Sequence, residues 1–190
     1  MAIRRLTKIS SKAFQEMQLN AGMLLKTFTP ENPTIPADDD IICATVGGVQ
    51  LSCVPTYSDL GEDVDNCPIG AKEMKSLGSW DCKISFVTPT VNSDVISLAL
   101  GAATVDETNN KVTPNSVLDS SNFTDQVWWV GDKGGGGFVA ICLKNVLSSG
   151  GFSLQTTKNA KGQLSLELQG HISINDPTAI PMDFYATDTV

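Results

Sequence analysis

The chain has 190 residues, of which 41% are hydrophobic and 18% are charged, and its formal net charge is −8 at pH 7. This composition excludes global disorder and supplies enough apolar side chains for the core of one domain, which we expect to span residues 1–190. The longest apolar run, 138–143, is far shorter than the roughly 18–20 residues that cross a bilayer. Basic residues near the N-terminus precede no apolar stretch, so we expect folding in the cytoplasm without a secretory signal.

Charge is distributed unevenly along the chain. The charged residues among the first 15 are all basic: Arg4, Arg5, Lys8 and Lys12. Residues 31–65 contain eight acidic residues and no Lys or Arg. Because the other 13 acidic residues (21 minus 8) balance the 13 bases, this segment accounts for the whole net charge. A protein this acidic is not expected to hold DNA by neutralising its phosphates.

The first part of the chain, 1–22, is predicted to form a basic arm with a short helix over 11–19 that ends at Asn20-Ala-Gly22. Residues 23–28 are typical of a strand. Residues 29–40 contain three prolines and three consecutive aspartates, which predict a loop.

Two β-branched runs, 41–46 and 49–54, follow on either side of Gly47-Gly48, a pattern that predicts a β-hairpin. From residue 55 to residue 79 the sequence is polar, acidic and rich in turn formers, so we expect a long acidic loop there. Loops of this length are usually functional or ordered by a partner.

The centre of the chain predicts a strand over 80–88 that Pro89 stops, and then a helix from Asn92 or Ser93 to about Ala103. Apolar residues cover nearly every side of this helix. We therefore expect it to pack on a sheet on one side and to be covered by something else on the other.

The last 65 residues predict almost only strands, over 126–130, 138–144, 152–157, 163–174 and 180–186. Residues 180–190 would form an edge strand or a docking arm. The strand 163–174 alternates strictly. Its apolar positions are Leu164, Leu166, Leu168, Ile172 and Ile174, and its polar positions are Gln163, Ser165, Glu167, Gln169, His171 and Ser173. Such alternation indicates one face in the core and one in water.

Nothing in the sequence points to catalysis, so we expect no enzyme. A hydrolytic triad would have to use His171, the one histidine, and no G-x-S-x-G nucleophile motif is present. The glycine-rich run 131–137 lacks the Gly-Lys-Ser/Thr ending of a phosphate loop and predicts a flexible hairpin loop instead. The five cysteines are irregularly spaced without a CxxC pair, which favours small buried side chains over a disulfide framework or zinc site.

An acidic cluster leaves one alternative open. Asp59, Glu62, Asp63 and Asp65 supply the oxygen ligands that calcium prefers, although their spacing matches no EF-hand loop. The alternative to a structural role is thus a calcium-dependent β-sandwich binding module of the baseplate or adhesin type. We otherwise expect a solvated or partner-facing acidic loop, with no metal or cofactor.

Bulky apolar residues occur on both faces of the predicted sheet, as in Trp128-Trp129 and in the run 138–143. A lone subunit buries one face of a sheet easily, whereas an interface between copies is one way to cover the second. This pattern favours an oligomer.

The order of features resembles the major tail tube proteins of long, non-contractile-tailed phages and prophages of Gram-positive bacteria. The segments that carry the resemblance are 14–22, Gly47-Gly48, 57–65, 128–132, 150–157, 170–172 and 180–185. The resemblance covers nearly the whole chain, and it implies a β-sandwich or half-barrel with one central helix packed on the sheet.

The same resemblance implies that six copies form a ring, that their inner strands join in one large barrel, and that rings stack into a tube for the ejection of double-stranded DNA. It implies a place in the virion, after assembly in the host cytoplasm, beside tape-measure, tail terminator and distal tail proteins. On this interpretation Gln163, Ser165, Glu167, Gln169 and His171 are candidates for the lumen wall. We expect the basic arm of one subunit to meet the acidic segment of another and to guide register between rings.

Overall fold

The computed structural model describes residues 7–188, and the candidate interface residues Arg4 and Arg5 lie outside this range. The fold is mainly β, as predicted. Its helices are α1 (Ala13–Glu16) and α2 (Ser93–Leu100). Its strands are β1 (Met23–Leu25), β2 (Ile41–Cys43), β3 (Val46–Asp59), β4 (Lys75–Thr88), β5 (Ala103–Asp106), β6 (Lys111–Pro114), β7 (Thr124–Asp132), β8 (Phe138–Ser148), β9 (Ser153–Gln155), β10 (Gln163–Gly170) and β11 (Met182–Ala186).

Nine of these strands form one antiparallel sheet with the order β2-β1-β7-β8-β10-β4-β3. Along its second side β8 pairs first with β11 and then with β10, and β9 pairs with the start of β10. The strands β5 and β6 form a separate hairpin that the sequence analysis missed. The run 180–186 does contribute a strand, since β11 pairs with β8.

The main core lies on the face of the sheet that α2 covers. Leu164 and Leu168 of β10, Ile84 of β4 and Leu143 of β8 are fully buried there, together with Val95 of α2. The helix begins where the sequence predicts, because the Oδ1 atom of its N-cap residue Asn92 accepts a hydrogen bond from the Val95 N–H at 2.8 Å. One central helix packed on a large sheet is the predicted arrangement.

A second, smaller core lies on the opposite face of β1, β7 and β8. Trp128 packs there with Phe28, Phe138 and Cys142, whereas its neighbour Trp129 belongs to the main core. The segment that follows β1 therefore covers part of the second face, with Phe28 edge-on to both Trp128 and Phe138. Trp128 and Trp129 lie on opposite faces, as period-two alternation requires.

The hairpin predicted at Gly47-Gly48 is wrong. β3 runs through both glycines and pairs with β4, while β2 pairs with β1. The φ angles of Gly47 and Gly48 are 79° and 88°, and the β3–β4 register shifts between Val46 and Val49. The two glycines thus form an irregularity of the β-bulge kind within one strand, where φ values of this sign favour glycine.

The acidic loop predicted over 55–79 is also corrected. β3 continues to Asp59 and β4 begins at Lys75, so the two 14-residue strands form one long hairpin and the loop between them covers 60–74. Sequence periodicity did not reveal the strand ends because no residue from 54 to 79 is buried. Without a core face, a strand shows no apolar alternation.

The strand predicted over 163–174 ends early. β10 stops at Gly170, and the His171 N–H still donates to the Lys144 carbonyl of β8 at 3.3 Å. Leu164, Leu166 and Leu168 lie in the core as expected, but Ile172 and Ile174 are 48% and 94% exposed and do not. His171 also lies beyond the strand, so it does not belong to the polar face of β10.

Candidate self-assembly surfaces

The solvent face of β10, β4 and β3 carries polar side chains, and we call it the polar face. Ser165, Glu167 and Gln169 project from β10 on the side opposite the buried leucines. In the ladders, Glu167 pairs with Ser85 and Ser85 pairs with Gln50, so the three strands present these groups in one row. Gln163 precedes them on the same side of the strand, so four of the five predicted lumen candidates share one continuous surface.

The charges on the polar face are mutually paired. The Nζ atom of Lys83 lies 3.4 Å from Oε1 of Glu167 and 3.5 Å from Oδ2 of Asp81. Gln169 donates from Nε2 to Oδ1 of Asp81 at 3.1 Å, and the Ser149 hydroxyl donates to Oε1 of Glu167 at 2.8 Å. Each of the two carboxylates thus contacts the ammonium group of Lys83 and one neutral hydrogen-bond donor.

These contacts shift the pKa values of Lys83 and Glu167 in the directions that keep both groups charged. The carboxylates of Asp81 and, next, Glu167 raise the pKa of Lys83. The hydrogen bond from Ser149 and, next, the charge of Lys83 lower the pKa of Glu167. One cation held between two anions leaves this part of the surface with a net charge of −1 and gives a phosphate no unpaired partner.

This surface also contains Asp81, Lys83 and Ser85, which were not among the predicted lumen candidates. Their signal was present, because they alternate with Cys82, Ile84 and Phe86, which are buried. All three lie within the strand predicted over 80–88, and its alternation indicates the side that they share.

The last two lumen candidates are placed differently, because Gln163 belongs to the polar face and His171 does not. Gln163 is exposed at the start of β10, opposite Gln155 of β9. His171 is half-buried beyond β10, where its Nδ1 atom lies 3.2 Å from the Asn145 carbonyl oxygen and its ring packs edge-on against Phe123. The contacts of this imidazole are those of a packed side chain.

The long strand β3 is one border of the sheet. It pairs with β4 on one side, and among residues 7–188 no strand pairs with its other side. Its core-facing residues Val49, Leu51 and Cys53 are only partly buried, whereas Leu164 and Leu168 of β10 are fully buried. An unpaired 14-residue border with incompletely covered apolar side chains is a template for strand pairing with another chain.

We call the outer part of the β3–β4 hairpin, residues 56–79, the distal hairpin. It contains no buried residue, and Tyr57, Leu60 and Ile69 are 63%, 65% and 104% exposed. Five acidic residues and two lysines give it a net charge of −3. Apolar and acidic groups together are typical of a surface that binds a partner with apolar and basic groups.

The four acidic residues of the candidate calcium cluster are not equivalent. Asp59 accepts hydrogen bonds from Nζ of Lys75 at 2.8 Å and from the Gly61 N–H at 3.0 Å, which lower its pKa. Glu62, Asp63 and Asp65 are exposed on the loop. In the described part of the chain, no group of three or more His, Cys, Asp or Glu side chains has an arrangement suited to a metal ion.

The described part of the basic arm lies against the turn between β7 and β8. The Gly134 N–H donates to the Met17 carbonyl at 2.9 Å, and the Leu19 N–H donates to the Asp132 carbonyl at 3.0 Å. A Cβ atom at Gly134 would overlap the Phe14 carbonyl oxygen, so this glycine permits the close approach. The glycine run, which the sequence predicts as a flexible hairpin loop, forms the turn between β7 and β8 and packs against the arm.

Lys8 and Lys12 are exposed on this arm, and Ile9 and Phe14 are 76% and 63% exposed beside them. The arm thus offers basic and apolar groups, the complement of the distal hairpin. β8 and β4 both pair antiparallel with β10, so their first residues lie at the same end of the sheet. The arm and the distal hairpin consequently extend from one end of the subunit.

A cavity with a volume of about 300 Å³ lies between α2, β7 and the β5–β6 hairpin. Lys26 and Asp94 form an ion pair of 3.4 Å at its lining, and Phe123 and Gln126 contribute further walls. His171 does not line it. The two charged side chains at this lining thus contact each other, and the imidazole lies outside the cavity.

Among the described residues, the helices are too short or too polar to cross a membrane. No protein-family model matches the chain, and no curated protein matches it.

Proposed function

We propose that this chain is the structural subunit of a bacteriophage tail tube, and that it assembles into stacked hexameric rings through which double-stranded DNA leaves the capsid. In this role the protein is not an enzyme. Its place is in the virion, after assembly in the host cytoplasm. The observation that carries the proposal is the polar face of β10, β4 and β3, whose paired charges lie beside an open sheet border.

The open border supplies a way to join copies. β9, β10, β4 and β3 are consecutive neighbours, and each ladder is antiparallel. Pairing of β3 with the β9 side of a second copy would continue the sheet, and a closed ring would leave no border exposed. Six copies with four strands each give 24 strands, which at roughly 4.8 Å spacing and a steep tilt form a barrel about 40–50 Å wide.

Such a barrel would present the polar face to its bore. Gln50, Ser85, Gln163 and Ser165 offer neutral polar groups, and Lys83 is held by two carboxylates. A wall of this kind has no free cation that would bind phosphate, and its net negative charge repels the duplex. DNA would therefore slide along it instead of binding.

The arm and the distal hairpin supply a second contact between subunits. Basic and apolar groups on the arm complement the acidic and apolar groups of the hairpin. Because both extend from the same end of the sheet, neighbours within one ring can join them more directly than stacked rings can. We therefore propose this contact between adjacent subunits of one ring, whereas the sequence led us to expect a contact that guides register between rings.

The ends of a tube expose surfaces that further ring-shaped or elongated proteins would cover. On this proposal the tape-measure protein occupies the bore before DNA does, and tail terminator and distal tail proteins close the two ends. The wall needs no specific contact with DNA and no cofactor.

Ring formation can be tested by measuring particle mass in solution over a range of protein concentrations. Six copies of the 20.2 kDa chain have a mass of about 121 kDa. A species of that mass that grows with concentration supports the proposal. A protein that stays at 20.2 kDa up to the highest concentration that remains soluble contradicts it.

A further inference from the structure

Two cysteines meet across the β3–β4 ladder. Cys53 and Cys82 are directly opposite each other in register, and their Sγ atoms lie 3.1 Å apart. Opposite residues of an antiparallel pair have Cα atoms about 4.5 to 5.5 Å apart, which lies within the Cα range of about 4.4 to 6.8 Å found in disulfides. The backbone therefore does not have to move for the two sulfurs to join.

The other three cysteines make different contacts. The Sγ atom of Cys67 approaches the Pro68 carbonyl at 3.7 Å, that of Cys142 approaches the Leu143 carbonyl at 4.0 Å, and Cys43 is buried with its side chain against Thr88. Cys53 and Cys82 are thus the two of the five cysteines whose sulfur atoms lie against each other.

We propose that Cys53 and Cys82 form an intrachain disulfide when the folded protein meets a peroxide or a low-molecular-weight disulfide, and that the bond closes the β3–β4 hairpin covalently. This inference does not depend on the proposed function. It applies to any setting in which the chain leaves a reducing cytoplasm for an oxidising medium.

The two thiols have unequal access, which sets the order of events. Cys53 is partly exposed, so its thiolate meets the oxidant first, whereas Cys82 is fully buried. With hydrogen peroxide, the Cys53 thiolate attacks one oxygen and releases hydroxide, which leaves a sulfenic acid. The Cys82 sulfur then attacks the Cys53 sulfur, the S–O bond breaks, and the oxygen leaves as water with the Cys82 proton.

Burial raises the pKa of Cys82 to about 12, so its thiolate is scarce near neutral pH. The short separation of the two sulfur atoms offsets this scarcity, since the second step is intramolecular. We expect the disulfide to form faster as the pH rises from 7 to 9.

The bond would link residues 29 positions apart and enclose the distal hairpin within a covalent loop. Cross-links stabilise a fold mainly by restricting the unfolded chain, and closing a loop of this length is expected to raise the free energy of unfolding. For a domain of this size we expect oxidation to raise the Tm by roughly 5 °C or more, reversibly on addition of a dithiol.

The test treats the reduced folded protein with hydrogen peroxide or oxidised glutathione, removes the oxidant, alkylates the remaining thiols in denaturant, and measures intact mass. We expect the loss of two hydrogens and two fewer alkylated thiols in the wild type. Cys67→Ala serves as the matched control on the same hairpin and should behave like the wild type. Cys53→Ala should abolish the loss of two hydrogens and the rise in Tm.

Two results would overturn the proposal. One is a wild-type protein that keeps five alkylatable thiols after treatment. The other is a disulfide that persists in Cys53→Ala. Because the wild-type count needs no variant, the proposal stays testable even where Cys53→Ala folds poorly.

Discussion

The ammonium group of Lys83 on β4 lies 3.4 Å from the carboxylate of Glu167 on β10, a diagonal neighbour across the ladder. Asp81 holds the same ammonium group from the other side at 3.5 Å. The pairing gives the polar face its principal electrostatic property, a cation that is present and yet not free to bind an anion.

Removing both carboxylates should turn this surface into a weak DNA-binding surface. Asp81→Asn with Glu167→Gln changes the local charge from −1 to +1 and leaves Lys83 without a charged partner. We expect duplex DNA to bind roughly tenfold more tightly than to the wild type at low salt, with an affinity that falls as salt rises. Fluorescence anisotropy of a labelled duplex measures the effect.

A matched control separates this local effect from net charge. Glu107→Gln with Asp176→Asn removes two exposed carboxylates away from the polar face. It should leave DNA binding at the wild-type level. If both double variants gained the same affinity for duplex DNA, the arrangement of carboxylates around Lys83 would have no specific effect.

Blocking the open border of β3 should prevent ring formation. Successive N–H groups of a strand point to opposite sides, so one of Gln50→Pro and Leu51→Pro removes a β3–β4 hydrogen bond and the other removes a donor at the open border. The variant that loses a β3–β4 hydrogen bond should have a Tm lower by several degrees. The variant that loses only a donor at the open border should keep its Tm within a few degrees and still fail to form rings. Leu51→Ala is the control for the side chain that Leu51→Pro removes.

Thermal melting identifies which variant is which, and particle mass reports assembly. Normal assembly by the variant that keeps its Tm would mean that the border of β3 does not join copies.

Reversing the charge of the arm should slow assembly. Arg4→Glu with Arg5→Glu places like charges against the distal hairpin, whose net charge is −3. We expect a several-fold lower assembly rate at low salt and little difference at high salt, because salt screens exposed charges. Light scattering during polymerisation measures the rate.

The corresponding control is Lys158→Glu with Lys161→Glu, which reverses two exposed lysines in the turn before β10. This variant should assemble at nearly the wild-type rate. An arm variant that polymerises like the wild type at every salt concentration would refute the contact.

The sequence predicted those parts of the fold in which one face is buried and the other is wet. β10 alternates because Leu164, Leu166 and Leu168 enter the core while Ser165 and Glu167 stay in solvent. The helix was predicted from its cap and its apolar residues, and the hydrogen bond from the Val95 N–H to Asn92 confirms its start. The alternation and the helix cap depend on residues that are close in sequence, so the sequence alone predicts these elements.

The sequence did not predict the parts whose form depends on distant partners. Gly47-Gly48 has the composition of a turn, and only the pairing of β3 with β4 on either side makes it a bulge. The strand residues of the distal hairpin lack a buried face, so they carry no periodic signal. The neighbourhood of Cys53 and Cys82 was hidden for the same reason, since their register is set across 29 positions of sequence.

The central claim is that copies of this chain close into hollow rings, and electron microscopy of concentrated, negatively stained protein tests it most directly. We expect rings with six-fold symmetric averages and a central hole, and stacks of such rings as tubes. Fields of single particles without a hole, at every concentration and salt condition, would contradict the account.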